Sequence, residues 1–441
     1  MITQPEEQLD SFDFDKRKNA LEHLLEKVKA GGLVLPEAGE YVNLHCHTFF
    51  SYNCYGYSPS KLAWLARKKG LRCVGSIDFD VLDALEEFLQ AAYRLGLRGF
   101  AGLETRVFVP EFAEYEINSP GEPGIAYHIG VGFTRSQFDG ATQEFSDRLR
   151  EMAQNRNMQL TQRVNDYLGT VRLDYQKDVV SLTPSGNATE RHICLAYARK
   201  AAEIFSEDSK LVQFWSDKLG TDVSSFEQPE GIELLNAIRK KTMKKGGAGY
   251  VTPEPDTFPR LADTNRFILD AGGIPVTAWL NGMTEGEQKM EELLDVECST
   301  GAAALNIVPD RNFTEGVRDE KLGNLYDIVK LAERRGLPVI GGTEMNSPGQ
   351  KFVDSFETDE LKPLLGVFRK GGDIVYAHYL LQKNCGLGYL SEWAEQEFEN
   401  VEEKNDFYRK VGDSLLPAQH DVLSKFDANA SPKQILEEIE K

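Results

Sequence analysis

Basic side chains, histidines and long apolar runs are all scarce in this chain, and each scarcity excludes something. Fifty Lys and Arg stand against seventy Asp and Glu, a formal net charge of −20 over 441 residues. A field of that sign repels duplex nucleic acid and anionic lipid, so neither is expected as a partner without a local basic patch. No stretch approaches the ~20 apolar residues of a membrane span, and the opening MITQPEEQLDSFDFDKRK is polar and acidic where an export signal is basic and then apolar. The expected location is cytoplasmic. Six cysteines (Cys46, Cys54, Cys73, Cys194, Cys298 and Cys385) lie scattered without CxxC spacing, against a disulfide framework or a structural zinc site. With 41% hydrophobic and 27% charged residues the chain is neither disordered nor coiled coil, and it is long enough for two or three domains' worth of structure.

What is present is an alternation. A leading helix is expected over residues 5 to 30, with Leu21, Leu24, Leu25 and Val28 on one stripe. From Tyr41, apolar runs alternate with helical patterns. Strands are expected near Val42 to Cys46, Leu71 to Ile77, Phe100 to Val109 and His128 to Phe133. Helices are expected from Ser58-Pro59, an N-cap followed by proline at the first helical position, and from Val81. The alternation stops at Ser136 and resumes near Ala271; between them lie helical patterns at 141–168, 188–205, 207–219 and 230–243, then the Gly- and Pro-rich GGAGYVTPEPDTFP. Strand-like runs Ile274–Ala278, Ala303–Val308 and Leu337–Gly341 follow, with helices from Glu285 and from Glu315 to Arg335. About seven strand-helix units imply an α/β fold closed as a barrel. The expected organisation is an N-terminal helical segment (1–40), a barrel with C-terminal helices (41–135 and 271–441) and a helical insertion (136–270) tethered through a glycine-rich hinge.

Candidate chemistry gathers at strand ends. In Asn43-Leu44-His45-Cys46-His47, two imidazoles two residues apart on a strand project to one face, as a transition metal requires. With seven histidines in 441 residues, chance supplies such a pair only about 0.1 times per chain. Asp78 and Asp80 end the second expected strand, Glu104 lies in the third, His128 in the fourth, and Glu344 and Asn346 follow the last. Sites in such folds sit where the strands end.

That order (HxH, a strand-ending Asp, G-x-E, a strand His, then G-[ST]-[DE]-x-[HN]) resembles the PHP (polymerase and histidinol phosphatase) superfamily. The resemblance covers about residues 41–135 and 271–350. It implies a distorted seven-stranded β/α barrel binding divalent metals and hydrolysing phosphate esters. Carried over by position, His45, His47, Glu104 and Glu344 hold a first metal, and Glu104 with His128 a second. Four departures stand out: Phe79 and Asn346 replace imidazoles, Ala278 stands where a further His belongs, and Asn43 replaces Asp. One or two ions (zinc, manganese or iron) are therefore expected, not three. Asp78 or Asp80 would orient a ligand or act as general base.

Anion recognition needs cations. Arg106 alternates onto the face of Glu104, as a phosphate clamp or as its ion-pair partner. Arg311, Arg191 and His192 are the other expected substrate contacts, the last two in a donor-rich loop, Thr183 to His192, suited to close over a barrel mouth. The run Arg239 to Lys245 reads as a solvated helix end. The expected activity is hydrolysis of a small phosphorylated molecule by a metal-activated water. The alternatives are a metal-dependent hydrolase or isomerase of a non-phosphate substrate, and a degenerate barrel that binds metal or ligand without turnover.

Overall fold

The computed structural model describes residues 5–314 and 316–441; the first four residues of the leading segment and Glu315, the expected start of a helix, lie outside that range. Seven strands form one sheet in sequence order: β1 Val42–Cys46, β2 Cys73–Phe79, β3 Arg98–Phe108, β4 Ile125–Val131, β5 Ile274–Trp279, β6 Ala304–Ile307 and β7 Val339–Gly341. Every residue of β1 is buried, so both faces are covered. Val42, Leu44 and Cys46 join the main apolar core, and Asn43 and His45 take the opposite face.

The sheet is parallel except at β4, which runs against both neighbours. Between β3 and β4 the chain forms only a short 3-10 turn at Pro110–Phe112. A parallel crossover needs a dozen or more residues, usually a helix, and this connection builds none; the chain doubles back instead. Just beyond β7, the His47 N–H donates to the Glu344 carbonyl (2.8 Å) and the Glu344 N–H to the His45 carbonyl (2.9 Å), bringing the last strand against the first. The sheet is thereby nearly closed. The Asn43 side chain adds a tie to both the hydroxyl (3.0 Å) and the N–H (3.2 Å) of Thr343. A Cβ at Gly342 would lie 2.1 Å from Asn43 Oδ1, so only glycine permits this approach.

Helices cover the barrel. The relevant ones are α1 Phe14–Lys29, α2 Pro59–Lys68, α3 Leu85–Leu95, α4 Gly140–Leu168, α5 Glu190–Ile204, α6 Asp208–Leu219, α7 Ile232–Thr242, α8 Leu261–Asp270, α9 Met290–Ser299, α10 Arg318–Arg334 and α11 Leu365–Cys385. Ser58 caps α2 by accepting from the Lys61 N–H at 3.0 Å. Helix α8 went unforeseen in the sequence. A second apolar cluster, running from Leu160 to Met243 and centred on Tyr197, Trp215 and Ile238, is separate from the barrel core. Helix α4 belongs to both: Leu149 packs in the barrel core, Leu160, Val164 and Leu168 in the second.

Candidate functional site

His45 in β1, His47 one residue past it and Glu104 in β3 converge where the strands end. The Glu104 Oε2 lies 3.4 Å from His45 Nε2 and 3.2 Å from His47 Nε2, and the three atoms lie within 4.8 Å of one another. Second partners fix both rings. His45 Nδ1 lies 3.1 Å from Asn306 Oδ1, an oxygen that only accepts, so the proton sits on Nδ1. His47 Nδ1 lies 3.3 Å from Ser51 Oγ, whose own proton goes to Asp78 at 2.5 Å. Both Nε2 lone pairs therefore face a carboxylate oxygen, and none of these three buried atoms has a hydrogen-bond partner among the described residues. Burial opposes charge on Glu104, yet the two imidazoles hold it below the ordinary carboxylate range. His45 is raised despite its burial, by Glu104 and then Glu344. Three converging acceptors of the hard and borderline type fit a divalent cation.

The remaining expected residues divide. Phe79 stacks on His47, ring centroids 4.2 Å apart. Asp78 accepts from the Thr48 N–H, the Thr48 hydroxyl and Ser51, so it anchors the loop after β1; burial raises its pKa. Asp80, also raised by burial, accepts from Thr105 and borders a cavity. Glu344 reaches the same end of the barrel by its backbone, but its carboxylate is engaged by Arg311 (2.6 Å) and Asn346 (3.1 Å) and does not join the three-residue cluster.

His128 is not brought to the cluster at all. Its cross-strand partner is Thr105, not Glu104, so His128 and Glu104 take opposite faces of the sheet. The ring is held outside the barrel, Nε2 2.5 Å from Asn265 of α8 and Nδ1 3.5 Å from Glu297 of α9. His192 is likewise used elsewhere: it accepts from the Thr189 N–H at 3.1 Å as part of the cap of α5, and burial pushes its pKa down to about 4. Arg106 pairs with Glu122 at 2.7 Å rather than with Glu104.

Next to the cluster lies a cavity of about 310 Å³, lined by Phe79, which stacks on His47, though not by His45, His47 or Glu104 themselves. Phe79, Arg106, Tyr127, Arg311 and Asn346 form its barrel side, while Arg156, Arg191, Arg239, Lys244 and Lys245 come from the helical residues between β4 and β5. Seven basic side chains thus face three acidic ones, Asp80, Glu122 and Glu190, in a chain of the opposite overall sign. The run Arg239 to Lys245 is therefore not simply a solvated helix end. Arg239 and Lys244 both bind Glu190 (2.9 and 2.7 Å) and help wall the cavity. The expected hinge is also fastened. The Arg163 guanidinium donates to the Gly249 carbonyl at 2.7 Å, and a Cβ at Gly249 would lie 2.6 Å from Val164.

Helical residues also reach the strand ends directly. Asn187 donates to the carbonyls of Phe50 (3.1 Å) and Phe79 (2.8 Å), and Arg191 to Ser347 Oγ (2.9 Å). Tyr127 escaped the sequence reading although Arg106 is its cross-strand partner, and no hydrogen bond to its hydroxyl is found among the described residues. The signal that could have found it is register: it faces the same side of the sheet as Glu104 and Arg106.

No protein-family model matches the sequence, and no curated protein matches it. Among solved structures, an amidohydrolase from Chromobacterium violaceum, obtained with sulfate and without metal, aligns at 16% identity and a TM-score of 0.48 over 70% of this chain and 88% of its own. A protein from Bifidobacterium adolescentis, provisionally described as a metal-dependent phosphoesterase, aligns at 18% and 0.45 over 76% and 97%. Among the described residues, no helix is long and apolar enough to cross a membrane.

Proposed function

We propose that this chain is a metal-dependent hydrolase of the PHP type that acts on a small phosphorylated molecule. One observation carries the reading: His45 Nε2, His47 Nε2 and Glu104 Oε2 converge with no proton donor among them, next to a basic cavity that Phe79 joins to His47. A divalent ion bound there would supply Lewis acidity and a water of lowered pKa. The chain's own residues would do the rest. Asn306 and Ser51 orient the two imidazoles, and Phe79 shields one face of His47. Arg106 and Arg311 hold an anionic group over the cluster, Asp80 is placed to accept a proton, and the Tyr127 hydroxyl is free to donate one. In this reading residues 136–270 cap the barrel of residues 41–135 and 271–441, and the loop from Thr183 to His192 forms the contact.

A specific observation favours a second reading, a barrel that binds metal and anion without turnover. The Glu344 carboxylate, the expected fourth ligand, is already engaged by Arg311 and Asn346. Metal analysis of the purified protein, followed by a screen of phosphomonoesters and diesters and then of amides and lactones, separates the readings. Bound metal with phosphate release supports the first and bound metal with no turnover selects the second. Hydrolysis of non-phosphate substrates alone would keep the hydrolase and discard the phosphate. Protein that takes up no divalent metal would overturn both.

A further inference from the structure

The cavity's positive charge is not evenly neutralised. Arg106 has Glu122, Arg239 and Lys244 share Glu190, and Arg311 has Glu344. Lys245 and two guanidiniums, Arg156 and Arg191, have no carboxylate within 4.0 Å among the described residues, and the two guanidiniums are held by different partners. Arg156, on α4, is pressed with Arg106 onto Phe258, each guanidinium carbon 4.4 Å from the ring centroid, and its only side-chain hydrogen bond among the described residues goes to the Thr257 carbonyl at 3.1 Å. Burial and then the neighbouring Arg106 push its pKa down to about 10. Arg191, on α5, donates to two neutral oxygens, Asn236 Oδ1 at 2.6 Å and Ser347 Oγ at 2.9 Å.

Crowding like charges out of water is unfavourable unless an anion offsets it. A phosphate held by one guanidinium leaves the other with its cost. We infer that the ligand of this cavity carries two separated anionic groups, one bound at Arg106 and Arg156 against Phe258, the other at Arg191 beside Ser347. The two groups are phosphates or carboxylates, the anions whose paired oxygens match the planar fork of a guanidinium. Only the question of which group reacts rests on the hydrolase reading; the two-point recognition does not.

Titration calorimetry at fixed ionic strength tests this with butyl phosphate and 1,4-butanediol bisphosphate as probes. The bisphosphate is expected to bind at least about tenfold more tightly. Arg156→Gln and Arg191→Gln should each remove most of that advantage, and at most one of them should weaken butyl phosphate. Arg156→Lys, which keeps the charge, should retain part of the advantage and so separates recognition from folding. Equal affinity for the two probes in the wild type would overturn the inference, as would equal loss of both probes in both variants. Repeating the titration in a His45→Gln, His47→Gln protein keeps the two proposals apart. A bisphosphate preference that survives this loss of the ligands, as expected, upholds two-point recognition independently of metal. A preference in wild type that takes up no divalent metal sinks only the hydrolase reading. Metal-loaded wild type with no preference sinks only this one.

Discussion

His45 Nδ1 lies 3.1 Å from Asn306 Oδ1, and that contact decides which nitrogen of His45 faces Glu104. An imidazole fixed through its far nitrogen is a better ligand than one free to turn. Asn306→Ala should therefore lower divalent-metal affinity about 10- to 100-fold, read by titration with a metal indicator, while the circular dichroism spectrum stays unchanged. Unchanged affinity would show that the ring is held by packing alone.

Because His128 faces away from the cluster and Glu344 is already engaged, one ion per chain is expected, and none in Glu104→Gln. Gln keeps the shape of Glu and removes the charge. Phe79→His, placing an imidazole beside His47, should raise the metal content. Elemental analysis of the three proteins decides it, and full occupancy in Glu104→Gln would remove Glu104 from the ligand set.

Tyr127→Phe deletes a hydroxyl that no described residue engages, so the thermal midpoint should hold or rise. If the hydroxyl contacts substrate, turnover falls by about two orders of magnitude with metal content unchanged. A variant as active as the wild type would leave Tyr127 as a wall of the cavity and nothing more.

Two buried histidines contribute to the acid side of the stability curve. His378 donates to the Gly272 carbonyl at 3.0 Å and accepts from the Tyr389 N–H at 2.9 Å, and His192 accepts from the Thr189 N–H; burial lowers each pKa to about 4. Unfolded, each titrates near 6.5. Between those values the unfolded chain binds protons that the folded chain refuses, so the contribution of these two residues is constant above about pH 6.5 and falls as pH drops toward 4, by roughly 3 kcal/mol per residue. Denaturant titrations at pH 7.5 and 5 should show the loss, and His378→Gln should flatten it.

The strand-helix alternation made the barrel legible, and the sparse histidines made His45 and His47 stand out. What the sequence hid were relationships across elements. Nothing local fixes the register of β4 on β3, and that register, pairing His128 with Thr105, is what sends His128 to the outside, against Asn265 on a helix the pattern had not announced. The lysines and arginines from 239 to 245 show the same limit. Their spacing suits a wet helix end, and only the packing of α5 and α7 aims Arg239 and Lys244 at Glu190 and the cavity.

Helix α4 is one unbroken rod rooted at Leu149 in one core and ending at Leu168 in the other, with Arg156 between them. Its rotational phase therefore sets which side chains meet across the cavity. A single residue inserted between Leu149 and Ala153 would turn everything beyond it by about 100°, swinging Arg156 off Phe258 and twisting the Tyr197 core out of alignment with the barrel below. A whole extra turn would keep the phase and only lift the upper half away by about 5.4 Å. In this stretch of the chain, the length of a segment is specified as tightly as its composition.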